Sequence, residues 1–368
     1  MPPLSVLMKP ASGLCNMRCD YCFYCDEAEK RSRESYGFMT EETLRNIIRR
    51  ILFRAEGAAS FAYQGGEPTL RGLPFFRKAA ELQKHYNKTG LRIENVLQTN
   101  GTLLNEEWCE FLRDNHFLVG LSIDGTKAVH DSFRHFKDSG ESPFAAAEKA
   151  AALMDLYGVE YNILTVVNSE TAAHIEEIYA FYKEKGWKWQ QYIACLDPLD
   201  EEGGLNPWSL TPALYGDFLI KLFDLWQEDV LKGTQPYIRQ FENYAGMLLS
   251  HAPEACEMRG KCGIQYVAEA DGSVYPCDFY MLDEYLLGNF NKDRVEQIDM
   301  RREEIGFIKR SENLSGECFS CPYYQLCRGG CQRCRVPGPE GAYKNYFCPA
   351  YKRFFETCLP RLKEIMGI

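Results

Sequence analysis

Residues 3–24 read PLSVLMKPASGLCNMRCDYCFY. Leu4 to Met8 form an apolar run of strand length, closed by Lys9 and Pro10. Behind that run stand Cys15, Cys19 and Cys22, spaced C-x3-C-x2-C. A short buried strand feeding a cysteine loop is how an α/β chain begins when its chemistry sits at a strand's C-terminal end.

The stretches that follow continue the alternation. Residues 40–56 carry Leu44, Ile47, Ile48, Ile51 and Leu52 at helical spacing, with Thr40 placed to cap the free amides and Glu41 and Glu42 at the positive helix end. Further strands are expected at 60–64, 92–98, 117–122, 160–167 and 188–196, and helices at 73–86, 105–115, 144–157 and 171–185. Strands separated by single helices imply parallel βαβ units. Six such units suggest a partial (β/α)6 TIM-like barrel, since eight would close a full one; a doubly wound sheet is the alternative. The loops after the strands hold Gln64-Gly65-Gly66-Glu67-Pro68, Thr99-Asn100-Gly101, Ser122 with Asp124-Gly125, and Leu196-Asp197-Pro198. Asn-Gly and Asp-Gly are ordinary turn pairs, so what marks these loops is their shared position at one end of the strands.

The chain has 368 residues, 16 cysteines, six histidines and a formal charge of −10. An acidic chain lacks the general attraction to phosphate that drives nucleic-acid binding, so no nucleic-acid partner is expected. No apolar run has membrane-span length and the N-terminus does not read as a secretory signal, so the chain is expected in the cytoplasm and off the membrane. Thiols stay reduced there, and clustered cysteines point to metal rather than to disulfides.

Four cysteines, Cys15, Cys19, Cys22 and Cys25, open the chain, and nine lie between residues 256 and 348. Three thiolates at the first spacing suit three irons of a [4Fe–4S] cubane and leave the fourth iron open. A closed zinc site completed by Cys25 is the alternative. In the later group, Ala270-Asp271-Gly272-Ser273 signals a hairpin between Cys262 and Cys277. The run Cys318-x2-Cys321-x5-Cys327-x3-Cys331 and Cys348 follow. With Cys256 these make eight thiolates, enough for two four-thiolate sites of iron–sulfur or zinc type. Cys25 and Cys334 read as extra free thiols, and Cys109, Cys195 and Cys358 as small core hydrophobes.

The first motif, with Tyr21 and Phe23 flanking Cys22, resembles the signature of the radical S-adenosylmethionine (SAM) enzymes. The resemblance implies that Cys15, Cys19 and Cys22 hold a cluster whose open iron binds SAM, from which a 5′-deoxyadenosyl radical is made. By position it assigns Tyr21, Gly66, Glu67, Ser122, Arg134 and Leu196 to contacts with SAM. The later cysteines resemble the SPASM domain of peptide-modifying radical SAM enzymes. That resemblance implies one auxiliary [4Fe–4S] cluster on Cys256, Cys262, Cys277 and Cys331, and another on Cys318, Cys321, Cys327 and Cys348, three clusters in all.

Most of the chain is similar to the anaerobic sulfatase-maturating enzymes, through FAYQGGEPTL (61–70), LQTNGTL (97–103), FLVGLSIDG (117–125), ACLDPL (194–199), DGSVYPCDFY (271–280) and CRGGCQRCR (327–335). Such enzymes oxidise a cysteine or serine in an unfolded C/S-x-P-x-R segment of a sulfatase to Cα-formylglycine. The similarity implies Asp278 as the base for the thiol or hydroxyl proton, with Tyr24 and Gln64 facing the peptide. It also implies an electron donor such as a ferredoxin or flavodoxin, and a monomer is expected. The expected division is a radical SAM barrel at 1–205, a helical connector at 206–250 and the SPASM domain with a C-terminal helix at 251–368. A thioether-forming peptide maturase is the enzymatic rival; the strand starting so near Met1 leaves no room for a leader-binding domain and speaks against it. A zinc-ribbon binding protein is the non-enzymatic rival.

Overall fold

The computed structural model describes residues 3–338 and 341–368. In chain order it runs β1 (Leu4–Met8), α1 (Phe23–Glu29), α2 (Glu41–Arg54), β2 (Ala58–Tyr63), α3 (Leu73–Tyr86), β3 (Arg92–Thr99), α4 (Glu106–Asp114), β4 (Phe117–Ser122), α5 (Lys127–Phe133), α6 (Pro143–Tyr157), β5 (Tyr161–Val167), α7 (Ser169–Ala173), α8 (Ile175–Glu184) and β6 (Trp189–Ala194). It continues with α9 (Pro212–Lys232), β7 (Tyr237–Ile238), α10 (Arg239–Leu248), β8 (Tyr266–Ala268), β9 (Ser273–Tyr275), β10 (Gly288–Asn289), α11 (Val295–Glu304), α12 (Phe307–Arg310), α13 (Gly316–Phe319), α14 (Tyr324–Cys327), β11 (Arg335–Pro337), β12 (Tyr343–Asn345) and α15 (Cys348–Met366). Strands β1 to β6 alternate with helices and supply the six β/α units expected of a partial barrel.

Helix α2 shows why these elements form where they do. The Thr40 hydroxyl accepts the Thr43 amide at 3.1 Å, and Glu41 and Glu42 face the positive end. Its stripe of Leu44, Ile47, Ile48 and Ile51 is fully buried, worth about 2 kcal/mol per side chain. Strand β2 alternates half-buried and buried residues along its length, as a strand between a sheet face and covering helices does.

The chain packs as two compact units. The first comprises the described residues up to Ser122, Arg134–Asn162 and Ile264–Gly306. Its sheet runs β10-β9-β8-β1-β2-β3-β4, with β1 to β4 mutually parallel. The second comprises Ile123–Phe133, Ile163–Gly263 and Phe307–Ile368; in it β5, β6 and β7 pair in parallel and β11 pairs antiparallel with β12. Among the described residues, no helix is long and apolar enough to cross a membrane.

The hairpin expected around Asp271-Gly272 is formed by β8 and β9, paired antiparallel with Val267 opposite Tyr275. Its first strand then lies parallel to β1, with Val6 opposite Tyr266. That pairing brings a distant segment alongside the first strand of the chain. The helix expected at 171–185 is two helices, α7 and α8, meeting at His174. Asn168 caps the first by accepting the Thr171 amide at 2.9 Å. Helix α1 was not foreseen, because its seven residues FYCDEAE carry no long apolar period.

Candidate active site

The cysteine loop after β1 is tied down on three sides. The Gly66 and Glu67 amides donate to the Ser12 and Leu14 carbonyls at 2.9 and 2.8 Å. Asn16 donates to Thr102 Oγ1 at 2.8 Å and accepts from Asn100 Nδ2 at 3.0 Å. The Arg18 amide donates to the His135 carbonyl at 2.8 Å. These tethers place Cys15, Cys19 and Cys22 at the C-terminal ends of β1 to β3, where the loop reading put them.

Gly66 sits where a Cβ would lie 2.1 Å from the Leu14 carbonyl oxygen. Only glycine permits that approach. The neighbour that demands it is the cysteine loop's own backbone, a tighter constraint than close approach of a ligand. Glu67 is buried, and its carboxylate accepts four donors: the Thr69 amide at 3.0 Å, the Thr69 hydroxyl, the Thr99 hydroxyl at 2.8 Å and the Asn100 amide at 2.8 Å. Burial pushes its carboxyl up, and these donors draw it back. Glu67 thus locks the loops after β2 and β3 to each other.

The thiols carry the environment a metal would relieve. Burial pushes Cys15 up to about 11, partly offset by the Met17 amide donating to its sulfur at 3.3 Å. A bound cation removes that desolvation cost by taking the thiolate as ligand. Cys22 moves the other way, to about 6, because the Cys25 thiol donates to its sulfur, opposed by burial. Cys25 is exposed and serves as that donor. Arg134 is buried and lies 5.6 Å over the Tyr21 ring, so those two meet beside the loop. Ser122 ends β4 in the first unit, and half-buried Leu196 follows β6 in the second.

The hairpin delivers Asp278 to the same unit. The Tyr24 hydroxyl donates to Asp278 Oδ2 at 2.6 Å. Gln64 Nε2 donates to the Tyr24 oxygen at 2.7 Å and to Asp278 Oδ2 at 3.2 Å. Burial and the neighbouring Asp278 charge hold the Tyr24 phenol well above its usual range, so it stays a donor. Two residues that sequence reasoning missed complete the group. Lys9 places its ammonium 3.4 Å from Asp278 Oδ1 and 4.2 Å from the Tyr24 ring centre. Glu27 lies on α1 one turn beyond Tyr24, with Oε2 4.0 Å from Lys9 Nζ. A lysine closing a buried strand was the available signal for the first; the unrecognised helix hid the second.

In the second unit, Cys318, Cys321, Cys327 and Cys348 line one cavity together with Tyr323, Tyr351, Phe355, Lys344 and Lys352. Burial pushes Cys327 up to about 11. Cys348 is the first residue of α15. Four soft thiolates around one cavity fit a [4Fe–4S] cluster. Burial, added to by the Cys331 and Cys262 charges, pushes Cys256 up to about 12; burial and the Cys331 charge push Cys262 up, and the hydrogen bond with Cys334 and burial raise Cys331. Cys277 follows β9 in the first unit, next to Asp278. Among the described residues, no three His, Cys, Asp or Glu side chains gather around one point as a single-ion site requires. Cys109, Cys195 and Cys358 are buried, as expected of core hydrophobes.

The radical SAM superfamily model matches residues 10–182, and a model described as an iron-sulfur cluster-binding domain, SPASM, matches residues 259–322. The chain is 48% identical over 367 residues to a cysteine-type anaerobic sulfatase-maturating enzyme of Clostridium perfringens, covering 99% of both chains. It is 33% identical to a serine-type enzyme of Bacteroides thetaiotaomicron, covering 99% of this chain and 92% of that one. The solved structure of native anSMEcpe with bound AdoMet and Cp18Cys peptide superposes with a TM-score of 0.93 at 47% identity, covering 100% and 99% of the two chains. With that likeness along its whole length, the chain belongs to the anaerobic sulfatase-maturating enzymes, radical SAM enzymes that carry a SPASM domain.

Proposed function

We propose that this enzyme oxidises a cysteine in an unfolded sulfatase segment of C-x-P-x-R pattern to Cα-formylglycine, with Asp278 as the base. The observation that carries the proposal is the convergence of Tyr24, Gln64 and Lys9 on one buried carboxylate in the same unit as the cysteine loop. Cysteine is favoured over serine because three cysteine-type relatives are 43–48% identical, against 31–33% for the serine-type ones.

Cys15, Cys19 and Cys22 hold the catalytic cluster. Cys256, Cys262, Cys277 and Cys331 hold one auxiliary cluster, and Cys318, Cys321, Cys327 and Cys348 the other. Tyr21, Gly66, Glu67, Ser122, Arg134 and Leu196 are the residues that would hold SAM, with Gly66 and Glu67 acting chiefly by shaping the loops. When bound, SAM and the clusters supply the radical that takes a Cβ hydrogen atom and the path for the second electron.

Asp278 accepts the thiol proton as the carbon–sulfur double bond forms, and water then replaces sulfur to leave the aldehyde and hydrogen sulfide. Tyr24 and Gln64 fix the carboxylate's orientation through Oδ2, and Lys9 compensates its charge in a buried site. A ferredoxin or flavodoxin serves as the external electron donor, and the enzyme works as a cytoplasmic monomer. The functional division proposed is a radical SAM barrel at 1–205, a helical connector at 206–250 and a SPASM domain at 251–368.

Mass spectrometry of paired peptides, one with cysteine and one with serine at the target, tests the reading after anaerobic reaction. The cysteine peptide gains the aldehyde at least about tenfold faster. Equal rates would remove the cysteine preference, and no aldehyde on either peptide would overturn the function.

A further inference from the structure

Glu27 is a buried carboxylate that the chemistry above leaves without a task. Neither of its oxygens accepts a hydrogen bond, and neither does Asp278 Oδ1. The Met281 amide lies near enough to draw the Glu27 carboxyl down but outside hydrogen-bond geometry. The Lys9 ammonium faces both carboxylates, at 3.4 Å from Asp278 and 4.0 Å from Glu27. Tyr24 and Glu27 are three residues apart on α1, on one face of the helix that leaves the cysteine loop. One short helix therefore supplies both the phenol that holds Asp278 and the carboxylate that competes for its cation.

We infer that Glu27 is a positioning residue for peptide oxidation: it shares the Lys9 ammonium with Asp278 and so sets how firmly that carboxylate is held against Tyr24 and Gln64. The inference rests on Asp278 being the base. The charged and titratable groups facing Glu27 are Lys9 from the end of β1, Asp278 from the hairpin, and Tyr24 and Arg31 from α1 and its C-terminal extension. Arg31 is largely engaged elsewhere, 2.8 Å from Glu269 in a buried pair.

Burial, aided by the Asp278 charge and opposed by Lys9 and Arg31, pushes the Glu27 carboxyl up to about 8. Below that pH Glu27 is neutral and the Lys9 ammonium serves Asp278 alone. Above it Glu27 is charged, the ammonium is divided between two carboxylates, and the hold on Asp278 loosens. The sign for stability follows from the same shift. A carboxyl raised from 4.5 in the unfolded chain to about 8 in the fold contributes stability below pH 4.5 that is lost progressively as pH rises to about 8. Replacing Glu27 by Gln therefore raises Tm relative to the native chain increasingly across that window.

The test uses the full enzyme with its three clusters, SAM and a C-x-P-x-R peptide, from about pH 6.5 to about pH 9.5. Formylglycine and 5′-deoxyadenosine are measured together, so that reductant and SAM cleavage cancel in their ratio. The native enzyme loses at least about threefold in that ratio above pH 8, and Glu27→Gln varies by less than about twofold over the range. The peptide thiol titrates identically in both proteins, so the difference belongs to Glu27. Lys9→Met lowers the ratio at every pH by about tenfold. A Glu27→Gln ratio that falls with the native profile, while only Tm responds to pH, overturns the inference and leaves Asp278 in place. Asp278→Asn is run in parallel; if it keeps its formylglycine yield, both the base assignment and this inference fall.

Discussion

The loop at Cys15, Cys19 and Cys22 and the cavity at Cys318, Cys321, Cys327 and Cys348 solve opposite problems with the same side chain. The loop is walled by polar groups, Asn16, Asn100 and Thr102, and tethered to its surroundings by backbone hydrogen bonds. It offers three thiolates, which leaves one corner of a cubane for a ligand. The cavity is walled by Tyr323, Tyr351 and Phe355 and offers four thiolates, a closed set. Closure by apolar rings suits a group that passes electrons, and an open polar loop suits one that must bind and release a cosubstrate. On the proposed ligand assignment, the number of thiolates decides which role each region plays.

The sharpest way to break that comparison is to remove one thiolate from each region. Cys15→Ala abolishes both 5′-deoxyadenosine and formylglycine, to below about one part in a thousand of the native rates. Cys318→Ala keeps 5′-deoxyadenosine formation, loses about four of about twelve irons, and lowers formylglycine at least about tenfold. Iron analysis with product quantification reads both. If Cys318→Ala loses SAM cleavage as completely as Cys15→Ala, the two regions are not functionally separate.

A smaller effect sharpens the structural half. Gly66→Ala sets a methyl group 2.1 Å from the Leu14 carbonyl oxygen, so the cysteine loop must shift. Thermal denaturation is expected to show a loss of about 3 kcal/mol, with a weaker affinity for SAM as the loop moves. An unchanged Tm would mean that the loop tolerates displacement and that the tethers described here do not fix it.

The alternation of apolar strands and amphipathic helices was legible because β1 to β6, α2, α3, α4 and α6 each bury one periodic face, whereas the seven-residue α5 was not foreseen. Their bounds agree with the expected ones to within a few residues. The turn at Asp271-Gly272 was equally plain, since Asp-Gly is a turn pair, and Gly272 takes φ 89° there. What stayed hidden was long-range pairing. Nothing in Tyr266 to Ala268 states that this strand lies beside Val6 to Met8, because a buried three-residue strand has no register preference of its own. Lys9 was hidden for the same reason: its carboxylate partner arrives only with that hairpin. Glu27 carries no sequence signal of its own in FYCDEAE, and the folded α1 buries it.

Asp278 is the group proposed to take the peptide's proton. Asp278→Asn keeps the shape of the side chain and its approach to Tyr24 and Gln64 but removes the basic oxygen. Quantifying 5′-deoxyadenosine and formylglycine in one anaerobic reaction of this variant is the most direct test. The account predicts that 5′-deoxyadenosine persists while formylglycine falls by about 10²- to 10⁴-fold. Formylglycine formed at the native yield per 5′-deoxyadenosine would contradict it.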